Sequence, residues 1–326
     1  MPLFDLPLAK LKTYKAPDNE PKDFDAFWKR TLGEAADKAT EPRFERVDSD
    51  AYQLVDVYDL TFSGYDGQPV RGWFIEPAGN TKKLPCFVTF IGYGGGRSLP
   101  IDHVAPAIAG FANLVMDTRG QGSVWAPGDT PDNVPPGLNS NAQFPGYMTR
   151  GIESADSYYY RRVFADAVRA VHTAAAHERV DAKRIAVTGV RQGGGITLAA
   201  AGLVGKQAKL CMPDVPYLCH YRRACELVDT APYNEISQYL KTHRGKVEQV
   251  FNTLAYFDGV NFAKRITARS LFNVGLMETA SPPSTIFAAY NNVAGRKDMN
   301  LYEYNHHDGG GVFQIEARLA YARKHL

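Results

Sequence analysis

The sequence predicts a doubly wound α/β domain built on a mostly parallel sheet, and three observations carry that prediction. Nearly continuous apolar runs recur at residues 85–91, 112–116 and 184–188. Stretches with helical patterning separate them, and turn-forming residues bound each run. A strand covered by helices on both faces has no side free for polar residues, so it reads as an unbroken apolar run.

The other elements follow in order. Phe24, Phe27 and Trp28 stand at i, i+3 and i+4, the spacing of one face of an amphipathic helix, and read as a packing face. Residues 55–62 alternate apolar and polar, Gly64-Tyr65-Asp66-Gly67 makes a turn, and a second alternating run passes through Val70, Gly72, Trp73 and Phe74. That is a hairpin of half-buried strands. Two more sheet members are expected at 269–275 and 299–304, with a last helix over 313–325. The reading is one domain over 1–326 with a helical N-terminal extension (1–50). Two irregular insertions, 125–160 and 214–262, are rich in proline, tyrosine and arginine. Stretches of that length inside a compact domain serve function or assembly.

Composition excludes several classes of function. A hydrophobic fraction of 44% and a charged fraction of 22% belong to a globular chain, not a disordered one. The 37 basic and 35 acidic residues are spread along the sequence, leaving no basic stripe to neutralise phosphates, so nucleic acid is not an expected partner. Cys86, Cys211, Cys219 and Cys225 form no C-x-x-C pair and no zinc-ligand spacing. They read as reduced structural thiols, with one disulfide inside the 211–225 cluster left open. No cofactor or metal is expected. The N-terminus lacks a basic region followed by an apolar run, and no stretch offers the ~20 apolar residues of a membrane span, so a soluble cytoplasmic protein is expected.

Chemistry concentrates where the run at 184–188 ends. Gly189-Val190-Arg191-Gln192-Gly193-Gly194-Gly195 follows a buried strand and precedes the helical run 196–203. Strand, glycine-flanked turn and helix is the context of a nucleophile elbow, G-x-S-x-G, in which small neighbours let one side chain project at the top of the sheet. Only the serine is missing. Glycine-rich turns ahead of helices also cradle phosphate, but G-x-x-x-x-G-K-[ST] is absent, and this turn lies in the third βα unit, not the first. Downstream, Glu278 follows one predicted strand and His307 another, in the acid-then-histidine order of the α/β-hydrolase fold.

Longer segments make the resemblance specific. Val274-Gly275-Leu276-Met277-Glu278 with Pro282-Pro283-Ser284-Thr285 resembles the acid-bearing segment of carbohydrate esterase family seven, the acetyl-xylan esterases and cephalosporin C deacetylases. Asp117-Thr118-Arg119-Gly120-Gln121-Gly122, Gly146-Tyr147-Met148-Thr149-Arg150, Tyr158-Tyr159-Tyr160-Arg161 and the stretch 255–262 are similar to other motifs of that family. The resemblance implies an α/β-hydrolase fold and a triad at position 191, Glu278 and His307, with an oxyanion hole at the backbone N–H groups of Tyr93 and Gln192. It further implies acetylated xylo-oligosaccharides and small acetylated, cephalosporin-like esters as substrates, and a homo-oligomeric, hexameric assembly. The family has serine at the first triad position and aspartate at the second, and His306 sits beside His307.

Arg191 breaks the pattern. A guanidinium stays protonated and has no lone pair for attack, so it cannot carry acyl transfer by the serine route. Two readings result: an acetyl esterase scaffold impaired in its covalent step, or a non-catalytic anion- or carbohydrate-binding protein on the same scaffold. In either, the Arg191 side chain is expected to extend into the acyl pocket and block it or to fold toward Glu278 and displace His307, the second being favoured since a desolvated guanidinium seeks a carboxylate.

Overall fold

Nine strands among the described residues form one sheet: β1 (Arg43–Arg46), β2 (Val55–Ser63), β3 (Pro69–Pro77), β4 (Leu84–Phe90), β5 (Ala112–Met116), β6 (Val180–Val190), β7 (Ala208–Asp214), β8 (Arg269–Gly275) and β9 (Lys297–Tyr302). Their spatial order is β1-β2-β3-β5-β4-β6-β7-β8-β9. This computed structural model describes residues 3–138, 141–143 and 146–326. Met1, Pro2, Asn139, Ser140, Phe144 and Pro145 lie outside it, the last four within the 125–160 insertion.

β1, β2 and β3 are antiparallel, β3 joins β5 antiparallel, and every pairing from β5 to β9 is parallel. The central strand β4 explains the expected apolar runs. Val88 pairs in register with Leu114 on one side and Val187 on the other, and all three are fully buried. Successive side chains point to opposite faces. Cys86, Val88 and Phe90 enter the larger core with the helices Tyr159–Ala176 and Gln192–Val204. Phe87 turns to the other face, with Ala186, Leu210, Met212, Leu271 and Ala322 of the last helix, Gly311–His325.

The hairpin forms as expected, Val55 pairing with Pro77 and Ser63 with Pro69. Strand β9 begins and ends two residues earlier than its apolar pattern indicated. The helix Phe24–Asp37 buries Phe24, Phe27 and Trp28. Trp28 packs on Phe164, Phe257 and Phe262, and its Nε1 donates to the Tyr256 carbonyl at 3.0 Å.

Two expectations need correction. The 214–262 stretch is not irregular: it holds the helices Tyr221–Leu227, Asn234–Thr242, Val247–Ala255 and Gly259–Ala263. Their buried faces use tyrosine as well as aliphatic side chains, Tyr221 and Tyr239 among them, which blurs the apolar period. Strand β7 was also hidden, because exposed Lys209 and Pro213 interrupt its short apolar run. All four cysteines are free thiols. No helix of the described residues is long and apolar enough to cross a membrane.

Candidate active site

In an open α/β sheet, ligand sites form beyond the carboxyl ends of the strands, where the winding changes direction. Here β4 has β5 on one side and β6 on the other, and the loops after β4 and β6 carry Tyr93 and Arg191.

Arg191 lies between β6 and the helix Gln192–Val204 with φ 59° and ψ −114°. Its main chain is pinned on every side. The N–H donates to the Asp214 carbonyl at 2.9 Å, and the carbonyl accepts from Gly195 at 3.0 Å and Tyr217 at 2.9 Å. A non-glycine residue held in this region costs ~1–3 kcal/mol, which these contacts and the adjoining elements offset. The flanking glycines are sterically required: a Cβ on Gly193 would lie 2.2 Å from the Phe90 carbonyl oxygen, and one on Gly189 2.5 Å from the Gly193 carbonyl. This is the elbow anticipated from the glycine pattern.

Beyond β8 and β9 the acid and the histidine converge. Glu278 is fully buried, and its Oε1 accepts from the N–H groups of Ala280 at 2.6 Å and Ser281 at 3.2 Å, with His307 Nδ1 at 3.3 Å. Burial by itself would raise its pKa, but the His307 contact and the two backbone donors outweigh it, holding the carboxyl below its usual range. Of the adjacent histidines, it is His307 whose ring meets Glu278 and lines the cavity.

The expected displacement of His307 by Arg191 does not occur. Instead, Arg191 Nε and Nη2 both donate to the His307 backbone carbonyl, at 3.0 and 2.7 Å, and the His307–Glu278 contact stays in place. Glu278 Oε1 has three partners and its buried Oε2 has none among the described residues, so it is the His307 carbonyl and not the carboxylate that the guanidinium reaches. Burial lowers the Arg191 pKa, opposed by Glu278 and Asp308.

The N–H groups of Tyr93 and Gln192 have no acceptor among the described residues. Their side chains are fixed elsewhere. The Gln192 amide is fully buried, accepting from Gln121 Nε2 at 2.9 Å and Tyr160 Oη at 2.8 Å, while Gln121 Oε1 accepts from the Gly94 N–H at 2.7 Å. The Tyr93 hydroxyl donates to Glu235 Oε1 at 2.5 Å, and the same carboxylate accepts from the Met148 N–H at 3.0 Å. Arg191, Gln192, Tyr93 and His307 border one cavity of about 190 Å³, walled also by Trp125, Tyr217, Pro232, Ala280 and Ser281. An imidazole backed by an ionised carboxylate can take and return a proton, and free N–H donors can hold an oxyanion. Among the described residues no three His, Cys, Asp or Glu side chains gather where they could ligate a metal.

Comparison with known proteins decides the family. The family model for acetyl xylan esterase (AXE1) matches residues 1–325. The chain belongs to the acetyl xylan esterase family. It is similar to the acetyl xylan esterase from Paenibacillus sp. R4, with 39% identity and a TM-score of 0.92, covering 98% of this chain and 100% of that one. It is also similar to acetyl xylan esterase 1 from Thermoanaerobacterium sp. JW/SL YS485, with 33% identity and a TM-score of 0.86 over 97% and 99% of the two chains. Acetyl esterase Axe7A of Xylanibacter ruminicola is 28% identical over 294 residues, 88% of this chain and 63% of that longer protein. The fold shared across these acetyl xylan esterases is the α/β-hydrolase fold.

Sequence reasoning missed the supports of this candidate site. Gln121, within a motif already singled out, joins the Tyr93 loop to the elbow helix, and Glu235 anchors the Tyr93 ring. Trp125 and Tyr217 wall the cavity from distant parts of the chain, and nothing in their local patterning marks them.

Proposed function

We propose that the cavity is the acyl site of an acetyl ester hydrolase whose covalent step is blocked in this chain by Arg191. The observation that carries this reading is the elbow torsion at residue 191 beside a paired His307 and Glu278. With a serine hydroxyl at position 191, His307 would act as general base and then as general acid, Glu278 would orient its ring, and the Tyr93 and Gln192 N–H groups would hold the tetrahedral oxyanion. Substrates of this reading are acetylated xylo-oligosaccharides and small acetylated, cephalosporin-like esters; the chain as it stands hydrolyses them very slowly or not at all. Self-association, as a hexamer, belongs to the same proposal and is supported by the exposed Val124, Trp125, Tyr304, Val312 and Phe313.

The experiment is hydrolysis of p-nitrophenyl acetate by this chain and its Arg191→Ser variant, side by side. The expected gain is ~10⁴-fold or more, the scale on which losing a triad member slows such enzymes. Equal rates in the two folded proteins would remove the elbow assignment.

A further inference from the structure

The donor capacity around Arg191 is larger than the structure uses. Its Nε and Nη2 are committed to the His307 carbonyl, but Nη1 has no acceptor among the described residues. Two N–H groups on the same cavity, those of Tyr93 and Gln192, are free as well. Gln192 opens a helix of 13 residues with no acidic side chain in its first turn, so the positive end of the helix dipole adds to the guanidinium.

We propose that the cavity binds a short-chain monocarboxylate, the acid half of an acetyl-type ester, on the free edge of Arg191. The inference rests on the reading of this cavity as an acyl site and names what that site retains once attack is impossible. Charge selects a monoanion, because one guanidinium faces the cavity and the ionised Glu278 lies behind the His307 loop, so a dianion would bring excess negative charge. Shape selects an alkyl carboxylate. The walls contributed by Trp125, Tyr217, Ala231 and Pro232 are largely apolar, and a planar carboxylate matches the guanidinium fork.

The test is calorimetric titration of the intact chain with sodium acetate, acetamide and sodium sulfate at matched ionic strength. Acetate is expected to bind, with acetamide and sulfate at least ~10-fold weaker, the ratio for loss of one charge-assisted pair. Arg191→Gln should lose acetate binding by a similar factor, and Arg191→Lys should recover part of it. Because Arg191→Gln could disturb the loop, Arg191→Lys also serves as the second variant: it keeps a cation in place, and acetate is expected to bind it more weakly than the parent chain and more tightly than Arg191→Gln. Equal binding of acetamide and acetate, or undiminished acetate binding by a folded Arg191→Gln protein, would overturn the proposal. Its failure is separable from failure of the esterase reading, because that reading is tested by turnover in Arg191→Ser, where this cation is absent.

Discussion

Gly193→Ala tests whether the elbow requires a glycine at that position for the reason the structure gives. The added Cβ would lie 2.2 Å from the Phe90 carbonyl oxygen and 2.8 Å from its carbon. Phe90 ends β4, the central strand, and pairs in register with Met116 on one side and Gly189 on the other. Neither neighbour can yield, so the helix Gln192–Val204 must retreat by about an ångström to reach ordinary contact, and overpacking of that kind costs ~1–3 kcal/mol or more. Gly33 is the internal control: it lies within the helix Phe24–Asp37 with nothing within 4 Å of its would-be Cβ. Alanine there should stabilise by ~0.5–1 kcal/mol through helix propensity and a less free unfolded chain. The two substitutions should therefore differ by ~2–4 kcal/mol in urea unfolding, with unchanged slopes. A Gly193→Ala protein as stable as Gly33→Ala would refute the steric argument and with it the account of how the elbow is held.

Other outcomes follow from the same geometry. The Glu278 carboxyl is more acidic folded than unfolded, so it stabilises the fold above the ordinary carboxylate range and that contribution disappears as pH falls through its folded value. The stability difference between the parent chain and Glu278→Gln should accordingly shrink on acidification from about pH 5 downward, measured by denaturant midpoints; a difference constant with pH would contradict the depressed acidity. Asp166→Ala should cost ~3–5 kcal/mol, because the Arg119 guanidinium, 1% exposed, donates from Nε and Nη2 to Asp166 at 2.5 and 2.7 Å and would keep only Gln68 and the more distant Asp132, at 3.7 Å, on its Nη1 side. Replacing both partners with Met and Leu should recover part of that loss, and a double variant as unstable as the single would argue against the weakened charge pairing as the cause. Light scattering should return a mass several times the 36.0 kDa of one chain, and a monomer mass across a concentration series would remove the self-association proposal.

The sequence made the centre of the sheet legible and its edges less so. Strands β4, β5 and β8 were readable because burial on both faces favours apolar residues at most of their positions, whereas β7 carries a solvent-facing Lys209 and β1 alternates charged residues at the rim. Residues 191, 278 and 307 could be placed because each follows a strand in a fixed order along the chain. Their supports could not, since Gln121, Glu235 and Tyr217 act across 71, 142 and 26 residues of sequence, and no local period records such contacts. The direction taken by the Arg191 side chain was misread for a related reason. Charge alone favours a carboxylate, but the carbonyl of His307 stands closer along the path the elbow sets.

Every backbone hydrogen bond that fixes residue 191 is made by main-chain atoms of Asp214, Gly195 and Tyr217, and none depends on what the side chain is. The torsion is therefore a property of the position and not of its occupant. On the proposed reading the arginine is a removable stopper in a preserved socket: a serine placed there would inherit the aim of the elbow, and the blocked and competent forms would stand one residue apart.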